Sequence, residues 1–387
     1  GIGRLTATND ALNRRQTLTY HALDRVLTTT DSSNATTEYT YDANDNLTSV
    51  TNALQQRWLW VHDEKNRTIS SSDPLNRTYR FVYNDQDELL EVKSPLNRVI
   101  KYSYDSRGQL ATVTDPLNNF VQLAYDNARN LTKIVDQRGA TFTYSYDELG
   151  RAIGRRNSLG QFIDVSYDAV DNVTAFTDQL GRRTNITYDE LHRPSQITYP
   201  DALMTVEYDA AGRTKQISDT EGGSVSWDYD AANRLLSETT AMGVVSYSYN
   251  AANQPTSMVA PNALPVNYSY DAAGRLQTIA QGSETFTYVY DTLSRVAQLQ
   301  RPNGINTIFE FDAASRLKRQ KHVNALNQAI EDYRYTYTLD DQISSITSIG
   351  TSQLLPAQKF AATADAANRI SQVGSASYSF DAIGQTT

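Results

Sequence analysis

The sequence contains no cysteine, which excludes disulfide bonds, thiolate metal sites and cysteine nucleophiles. No apolar run approaches the ~18 residues of a membrane-spanning helix, and the first residues show no signal-peptide pattern. Hydrophobic residues make up only 39% of the 387 residues, which is below the usual globular share. Threonine, serine, asparagine and glutamine fill the difference. We therefore expect no direct membrane insertion.

Positive charge is also in the minority. The chain has 35 Lys and Arg against 44 Asp and Glu, for a net charge of -9. Contacts to phosphates need clustered Lys and Arg, so we expect no nucleic-acid partner. There is no P-loop, nucleophile elbow or glycine-rich dinucleotide turn. The sequence therefore offers no motif for a cofactor.

Tyrosine is abundant, with 25 copies against 10 Phe and 3 Trp, and it recurs at a fixed interval. An aromatic residue followed by Asp marks a slot that repeats every 20 or 21 residues, with substitutions in some copies. The slots begin at Tyr20, Tyr41, His62, Tyr83, Tyr104, Tyr125, Tyr146, Tyr167, Tyr188, Tyr208, Tyr229, Tyr249, Tyr270, Tyr290 and Phe311. Irregular slots are assigned to Leu339-Asp340, Ala364-Asp365 and Phe380-Asp381. These 18 slots are the strongest signal in the sequence.

Each repeat predicts one β-hairpin with two turns. The first turn reads "DELGR" (147–151), and the second, about ten residues away, reads "DPLNR" (73–77) or "DQLGR" (178–182). Both fit a type I turn, in which Asp accepts hydrogen bonds and Gly or Asn takes the left-handed position. The segments between turns are too short for helices and alternate or are β-branched. The predicted fold class is all-β, with about three dozen short antiparallel strands.

Alternation along "TFTYSY" (141–146) places Phe142, Tyr144 and Tyr146 on one face of the sheet and the small polar residues on the other. The return strand carries apolar residues three apart, such as Leu110 and Val113. A regular strand would point these two to opposite faces. Either a β-bulge or apolar contacts on both faces would explain the spacing.

The number of strands constrains the shape. At ~4.8 Å per strand, about 36 strands give a ribbon roughly 170 Å long and ~20 Å wide. Strands twist with one hand, and long sheets coil or close. We therefore expect a long spiral sheet.

The repeat resembles the YD or Rhs (rearrangement hotspot) repeat. "YSYDAAGRLQTI" (268–279) matches that pattern almost position for position, and "YDAANRLLS" (229–237) comes close. Members of the family include bacterial Rhs polymorphic toxins, the BC component of insecticidal toxin complexes, wall-associated proteins and animal teneurins. The resemblance implies a spiral β-sheet shell, which in the toxins is a hollow container around a C-terminal effector domain.

This resemblance implies a non-enzymatic shell segment of an exported bacterial toxin. The implied partner is an enclosed effector domain of the same polypeptide or complex, and the implied location is extracellular or at the cell surface. The alternative is a surface adhesin or carbohydrate-binding repeat protein, in which exposed aromatic rows would stack on sugar rings. No cofactor or metal is implied by either reading.

The array divides into a regular part, residues 1–311, and an irregular continuation with longer and shorter hairpins, residues 312–387. "GIGRL" (1–5) supplies the Gly-Arg-Leu that follows a slot, and "SFDAIGQTT" (379–387) stops inside a new unit. We interpret the chain as a segment of a longer array, with both ends inside a repeat.

The candidate residues are mainly structural. Asp heads a turn in nearly every repeat, so a scaffold role is favoured over catalysis, and His21, His62 and His192 fill repeat slots without metal-ligand spacing. The structural repeat positions are represented by Tyr104, Asp105, Gly108, Tyr146, Asp147, Gly150, Arg151, Tyr270, Asp271, Gly274 and Arg275.

One basic cluster, "RLKRQKHVN" (316–324), departs from the repeat. It opens the longer interval after Phe311, so we expect a longer loop or a protruding hairpin there. Lys318, Arg319 and Lys321 are the candidates for contact with an acidic partner, and a solvated loop is the alternative.

Overall fold

The computed structural model describes residues 3–350, 359–364, 370–373 and 376–379. These residues form 36 short β-strands, and the described part of the chain contains no helix. The strands are β1 Ala7–Asn9, β2 Arg15–Tyr20, β3 Val26–Thr30, β4 Thr36–Tyr41, β5 Leu47–Thr51, β6 Arg57–His62, β7 Thr68–Ser72, β8 Thr78–Tyr83, β9 Leu89–Lys93, β10 Val99–Tyr104, β11 Leu110–Thr114, β12 Phe120–Tyr125, β13 Leu131–Val135, β14 Thr141–Tyr146, β15 Ala152–Asn157, β16 Phe162–Tyr167, β17 Val173–Thr177, β18 Arg183–Tyr188, β19 Pro194–Thr198, β20 Leu203–Tyr208, β21 Thr214–Asp219, β22 Gly223–Tyr229, β23 Leu235–Thr240, β24 Gly243–Tyr249, β25 Pro255–Val259, β26 Val266–Tyr270, β27 Leu276–Gln281, β28 Glu284–Tyr290, β29 Val296–Gln300, β30 Asn306–Phe311, β31 Leu317–Val323, β32 Ala329–Tyr337, β33 Ile343–Gly350, β34 Lys359–Ala364, β35 Ile370–Val373 and β36 Ala376–Ser377.

Each strand pairs antiparallel with the next one in the chain, from β1 to β36. Among the described residues β1 pairs with β2 alone, so the sheet does not close into a barrel by strand pairing. The prediction of an all-β fold built from consecutive hairpins is confirmed.

The sheet is a single layer with almost no interior. Among the described residues only Ala175 and Val323 are fully buried hydrophobic residues. The accessible surface is 23170 Å², against about 15,000 Å² for a compact protein of this mass. Stability must therefore come from contacts between adjacent repeats, as in other repeat proteins.

The turn that follows Tyr146 shows why the repeat needs Asp. Oδ1 of Asp147 accepts hydrogen bonds from the N–H groups of Leu149 at 3.0 Å and Arg151 at 2.9 Å. Gly150 takes the left-handed conformation, with φ of 77°. Other turns place Asp, Ser, Arg or His at this fourth position, His192 among them at φ of 60°. The position is therefore less restricted to Gly and Asn than the sequence pattern suggests.

A β-bulge explains the apolar spacing of the return strand. Tyr104 lies opposite Leu110, whereas the preceding Ser103 lies opposite Thr112, so Ala111 is the extra residue. Val113 lies opposite Tyr102, which places both apolar residues on the tyrosine face. The structure thus selects the bulge from the two explanations. The bulge recurs at the slots from Tyr20 to Tyr337.

The tyrosine hydroxyl of each slot ties its repeat to the one before. The hydroxyl of Tyr104 donates to the carbonyl of Leu89 at 2.9 Å, and Leu89 is the residue opposite Tyr83 at the preceding bulge. The same bond is made by Tyr20, Tyr41, Tyr83, Tyr125, Tyr146, Tyr167, Tyr188, Tyr208, Tyr229, Tyr249, Tyr270, Tyr290 and Tyr337. A polar backbone group beside an interrupted ladder is satisfied in this way.

The slot assigned to Leu339-Asp340 is wrong by two residues. Tyr337 makes the hydroxyl bond to Leu317, and the bulge falls between Thr336 and Tyr337, so Thr338 heads the turn. Thr stands at this turn head in place of Asp, and the Leu-Asp pair that follows it imitates a slot. Ala364 lies at a bulge, as its slot requires, and Phe380-Asp381 lies outside the described residues.

The basic cluster does not form a loop. Lys318, Arg319 and Lys321 lie within β31, which pairs with the nine-residue β32. The longer interval between slots after Phe311 is filled by longer strands. The structure therefore shows a longer hairpin, and the alternative expectation of a longer loop is wrong. Arg319 is held by carboxylates on both neighbouring strands, Glu310 at 2.9 Å and Asp332 at 2.7 Å.

Replacing Tyr104 with Phe should lower the stability of the chain by about 0.5–1.5 kcal/mol, the net contribution of one hydrogen bond. The ring remains, so packing is unchanged and only the bond to Leu89 is lost. Urea unfolding followed by circular dichroism measures the effect. Tyr102→Phe is the matched control, because within the described residues its hydroxyl has no assigned hydrogen bond. Equal effects of the two substitutions would contradict this role of the slot hydroxyl.

Candidate functional site: the edges of the ribbon

Turns alternate between the two long edges of the ribbon. We call the edge with turns that follow the slots, such as Asp147–Arg151, the tyrosine edge, and the other, with turns such as Asp73–Arg77, the return edge. Asp105 and Asp115 head turns on opposite edges, separated by β11. They are not a pair of carboxylates around a substrate.

An arginine ladder runs along the tyrosine edge. Nε of Arg151 donates to its own turn Asp147 at 2.7 Å, and Nη1 donates to Asp171 in the next turn, also at 2.7 Å. The guanidinium also lies over the ring of Tyr167, 4.7 Å from its centroid. One arginine thus makes three contacts: an ion pair within its own turn, an ion pair with the next turn, and a cation–π contact with the next slot tyrosine.

The ladder recurs along the array. Arg275 binds its own Asp271 at 2.7 Å, reaches Ser294 at 3.2 Å and covers Tyr290 at 4.6 Å. Cation–π contacts of the same kind join Arg67 to Tyr83, Arg193 to Tyr208, Arg213 to Tyr229, Arg234 to Tyr249, Arg295 to Phe311 and Arg316 to Tyr337.

The two edges also meet each other across large sequence separations. Nη1 of Arg14, on the return edge, donates to Oε1 of Gln254 on the tyrosine edge at 3.1 Å. Ser32 donates to the carbonyl of Ala273 at 3.2 Å. Arg77 forms an ion pair with Asp341. We call this line of contacts the seam.

The seam shows that the ribbon coils into a spiral whose successive turns lie edge to edge. The turn between β1 and β2 meets the turn between β24 and β25, 23 strands further on, and the turn between β3 and β4 meets that between β26 and β27. At about 4.8 Å per strand, 23 strands give a circumference of about 110 Å and a diameter of about 35 Å.

Gly274 lies against the seam as well as in the left-handed position of its own turn. A Cβ atom at Gly274 would overlap the guanidinium group of Arg14 from the neighbouring spiral turn. The side-chain amide of Gln254 donates to the carbonyl of Gly274 at 2.7 Å. Across the seam, the hydroxyl of Ser32 reaches the carbonyl of the adjacent Ala273, so side chains of the return edge lie directly against the backbone of this turn.

The turn carboxylates are held in their charged form. Hydrogen bonds from the backbone N–H of Gln109 and then of Arg107 lower the pKa of Asp105, against the opposing effect of burial. The side chain of Arg193 is the largest cause that lowers the pKa of Asp189. In the hairpin of β31 and β32, which we call the basic hairpin, Asp332 raises the pKa of Arg319 through a hydrogen bond between the two side chains.

The predicted repeat residues occupy equivalent places in three hairpins. Tyr104, Tyr146 and Tyr270 end strands on the tyrosine face, and Asp105, Asp147 and Asp271 head the turns that follow. Gly108, Gly150 and Gly274 take the left-handed position, at φ of 76°, 77° and 82°. What the sequence analysis missed is the seam, because its partners are some 240 residues apart and no repeat rule links them.

Other kinds of site are not evident in the described part of the chain. Within it, no group of three or more His, Asp or Glu side chains is arranged to hold a metal ion. Over the same residues, no helix has the length and apolar character needed to cross a bilayer.

Comparison with known families identifies the repeat. A family model described as Teneurin YD-shell matches residues 6–180 and 235–348, about three quarters of the chain. The chain belongs to the YD-shell family. A second model, described as RHS Repeat, matches residues 167–203 and 208–243. A comparison with curated protein sequences gave no significant match.

Solved structures with the same fold include a Tc holotoxin and TcdB2-TccC3 complexes. A crystal structure of TcdB2-TccC3-Cdc42 superposes with a TM-score of 0.79 at 13% identity, over 93% of this chain and 23% of that one. TcdB2-TccC3-TEV gives 0.74 at 13% identity, over 92% and 22%. The Photorhabdus luminescens Tc holotoxin pore gives 0.59 at 12% identity, over 96% and 28%. This YD-shell chain spans about a quarter of the length of the chains it matches.

Acid should weaken this sheet below about pH 4, because turn Asp residues such as Asp105, Asp126 and Asp189 have a lowered pKa in the fold and an ordinary one in the unfolded chain. Each such Asp stabilises the fold at pH values above its pKa in the unfolded chain. This stabilisation is lost as the pH falls through the lower pKa that the Asp has in the fold. Urea midpoints measured between about pH 7 and 2.5 test this.

The variant D105N/D126N should lose less stability on acidification than the wild type. Asn keeps the turn bonds, as Asn52 does to Leu54 and Gln56, both at 3.0 Å, but it does not titrate. E148Q/E190Q changes two exposed carboxylates that head no turn and should retain the wild-type pH dependence. The same acid loss in both variants would contradict the turn mechanism.

Proposed function

We propose that this YD-shell chain is a wall segment of a toxin shell that encloses an effector domain and has no enzymatic role of its own. The observation that carries the proposal is the seam. A single-layer sheet that is bonded edge to edge between successive spiral turns makes a continuous wall, whereas an open ribbon would leave its contents exposed to solvent and proteases.

Fold similarity supports the toxin assignment. The structures with TM-scores from 0.59 to 0.79 are described as TcdB2-TccC3 complexes and a Tc holotoxin. We infer for this chain an effector partner in the same polypeptide or complex and an exported, extracellular location.

The contact geometry does not favour the carbohydrate-binding alternative. The slot tyrosines use their hydroxyls on backbone carbonyls, and arginines cover many of their rings, as at Tyr167 and Tyr290. A sugar would have to displace these contacts before stacking on the rings.

The basic hairpin is the proposed contact for an acidic part of the cargo. Lys318 is exposed, and the described residues provide no ion pair for it or for Lys321. Arg319 is already bound to Glu310 and Asp332, so it would act by adding positive potential rather than by direct contact.

Electron cryo-microscopy of the full-length gene product tests the shell directly. We expect a hollow particle with cargo density inside, and the sequence that follows the array should resist proteinase K until denaturant opens the shell. An extended or open coil with freely digested cargo would contradict the proposal.

A matched pair of arginine variants links protection to the seam. Arg77 is 8% exposed and bridges its own Asp73 to Asp341 across the seam. Arg80, three residues later, is exposed and has no assigned ion pair within the described region. Arg77→Ala should speed cargo digestion several-fold, whereas Arg80→Ala should leave it unchanged.

A further inference from the structure

The turn Ser94–Arg98 differs from its neighbours on the return edge. It reads "SPLNR", with Ser where "DPLNR" (73–77) has Asp. The other eight turns of this edge between residues 10 and 182 are headed by Asp10, Asp31, Asn52, Asp73, Asp115, Asp136, Asn157 and Asp178. In each of these, Oδ1 of the head accepts the N–H of the residue two positions on.

The turn at Asp73 shows the ordinary arrangement. Oδ1 of Asp73 accepts the N–H groups of Leu75 and Arg77, both at 3.0 Å, and Oδ2 accepts Nε of Arg77 at 2.7 Å. The carboxylate thus serves one turn amide and the arginine guanidinium together. Ser94 has no carboxylate with which to do this.

In the Ser94 turn, a carboxylate from the next spiral turn takes this place. Oδ1 of Asp340 accepts the N–H of Leu96 at 3.2 Å. Oδ2 accepts Nη1 of Arg98 at 3.2 Å and the hydroxyl of Ser94 at 3.0 Å. The side chain of Asp340 is only 4% exposed, so this carboxylate depends on the three donors in place of water.

Asp340 is equally unusual among the turns of the tyrosine edge. Asp340 is the third residue of the turn Thr338–Gln342. The corresponding residues of the seam turns headed by Asn250 and Asp271 are Ala252 and Ala273. A buried carboxylate on one edge therefore meets the one turn among these nine whose head residue has neither a carboxylate nor an amide oxygen.

We propose that Asp340 caps the Ser94 turn in trans and thereby sets the register between two spiral turns. A slip by one repeat would bring Asp340 to Asp73 or Asp115, whose own carboxylates already occupy the turn amides. Two like charges would then share one site, and the Ser94 turn would lose its cap. A single buried polar pair can specify register in this way. This inference does not depend on what the shell encloses.

The decisive test is a change of sign in a double-mutant cycle. In the wild type, Asp340→Ala should destabilise the seam, because Ser94, the Leu96 amide and Arg98 each lose a hydrogen bond to this carboxylate. In the Ser94→Asp background, the same substitution should stabilise it, because it removes repulsion between two carboxylates. Asn52→Asp replaces Ser94→Asp in the control cycle, where Asp340→Ala should keep its wild-type effect.

The absence of cysteine makes the seam directly measurable. Lys101→Cys in β10 and Lys318→Cys in β31 place one spin label on each side of it, at exposed positions without assigned ion pairs in the described chain. The 387-residue chain carrying both labels should give a narrow distance distribution by pulsed electron paramagnetic resonance. The distribution should broaden or lengthen in Asp340→Ala and in Ser94→Asp, and narrow again in Ser94→Asp/Asp340→Ala relative to Ser94→Asp.

Hydrogen exchange separates the cap from the seam. The Leu96 amide should exchange at least about tenfold faster in Asp340→Ala, as expected for loss of a hydrogen bond to a charged group. It should stay protected in Ser94→Asp, where the cap is in cis. Two results would overturn the proposal. One is that Asp340→Ala weakens the seam in both backgrounds, so that the two substitutions are additive. The other is that the exchange rate of the Leu96 amide does not change in Asp340→Ala. Circular dichroism establishes that each variant is folded.

Discussion

The structure depends on the hydrogen bonds that the side chain of each turn head accepts from the N–H groups of its own turn. The sheet has one layer and almost no buried apolar core, so no packing against a second layer can define where each strand ends. The head residue does so instead. Asp147 binds the turn amides with one oxygen and Arg151 with the other, and that arginine then reaches the next repeat.

Two further devices extend this local order along the chain. The slot tyrosine binds a carbonyl at the preceding bulge, and the arginine covers the ring of the following tyrosine. Each repeat is thereby joined to both neighbours through side chains as well as through the β-ladder. Such nearest-neighbour coupling lets a thin sheet of 36 strands hold a defined curvature.

Residues that depart from the repeat pattern make the specific contacts between successive turns of the spiral. Gly274 leaves room for Arg14, Asp341 pairs with Arg77, and Asp340 supplies the carboxylate that Ser94 lacks. A perfectly regular array would stack in many equivalent registers, because every edge turn would be the same. Irregular residues at the seam remove that degeneracy, at the cost of breaking the local pattern.

The sequence by itself determined the all-β fold, the hairpin per repeat, the slots up to Phe311 and the structural use of Asp, because all of these are contacts within about 20 residues and follow a period. It left the choice between a bulge and a two-sided apolar sheet open, and it misplaced the slot of Tyr337, where Thr338 stands for Asp. Only the tertiary structure decided that the basic residues around Arg319 lie in a strand and that Asp340 faces Ser94. The physical reason is that curvature brings together residues some 240 positions apart, and no local pattern records that distance.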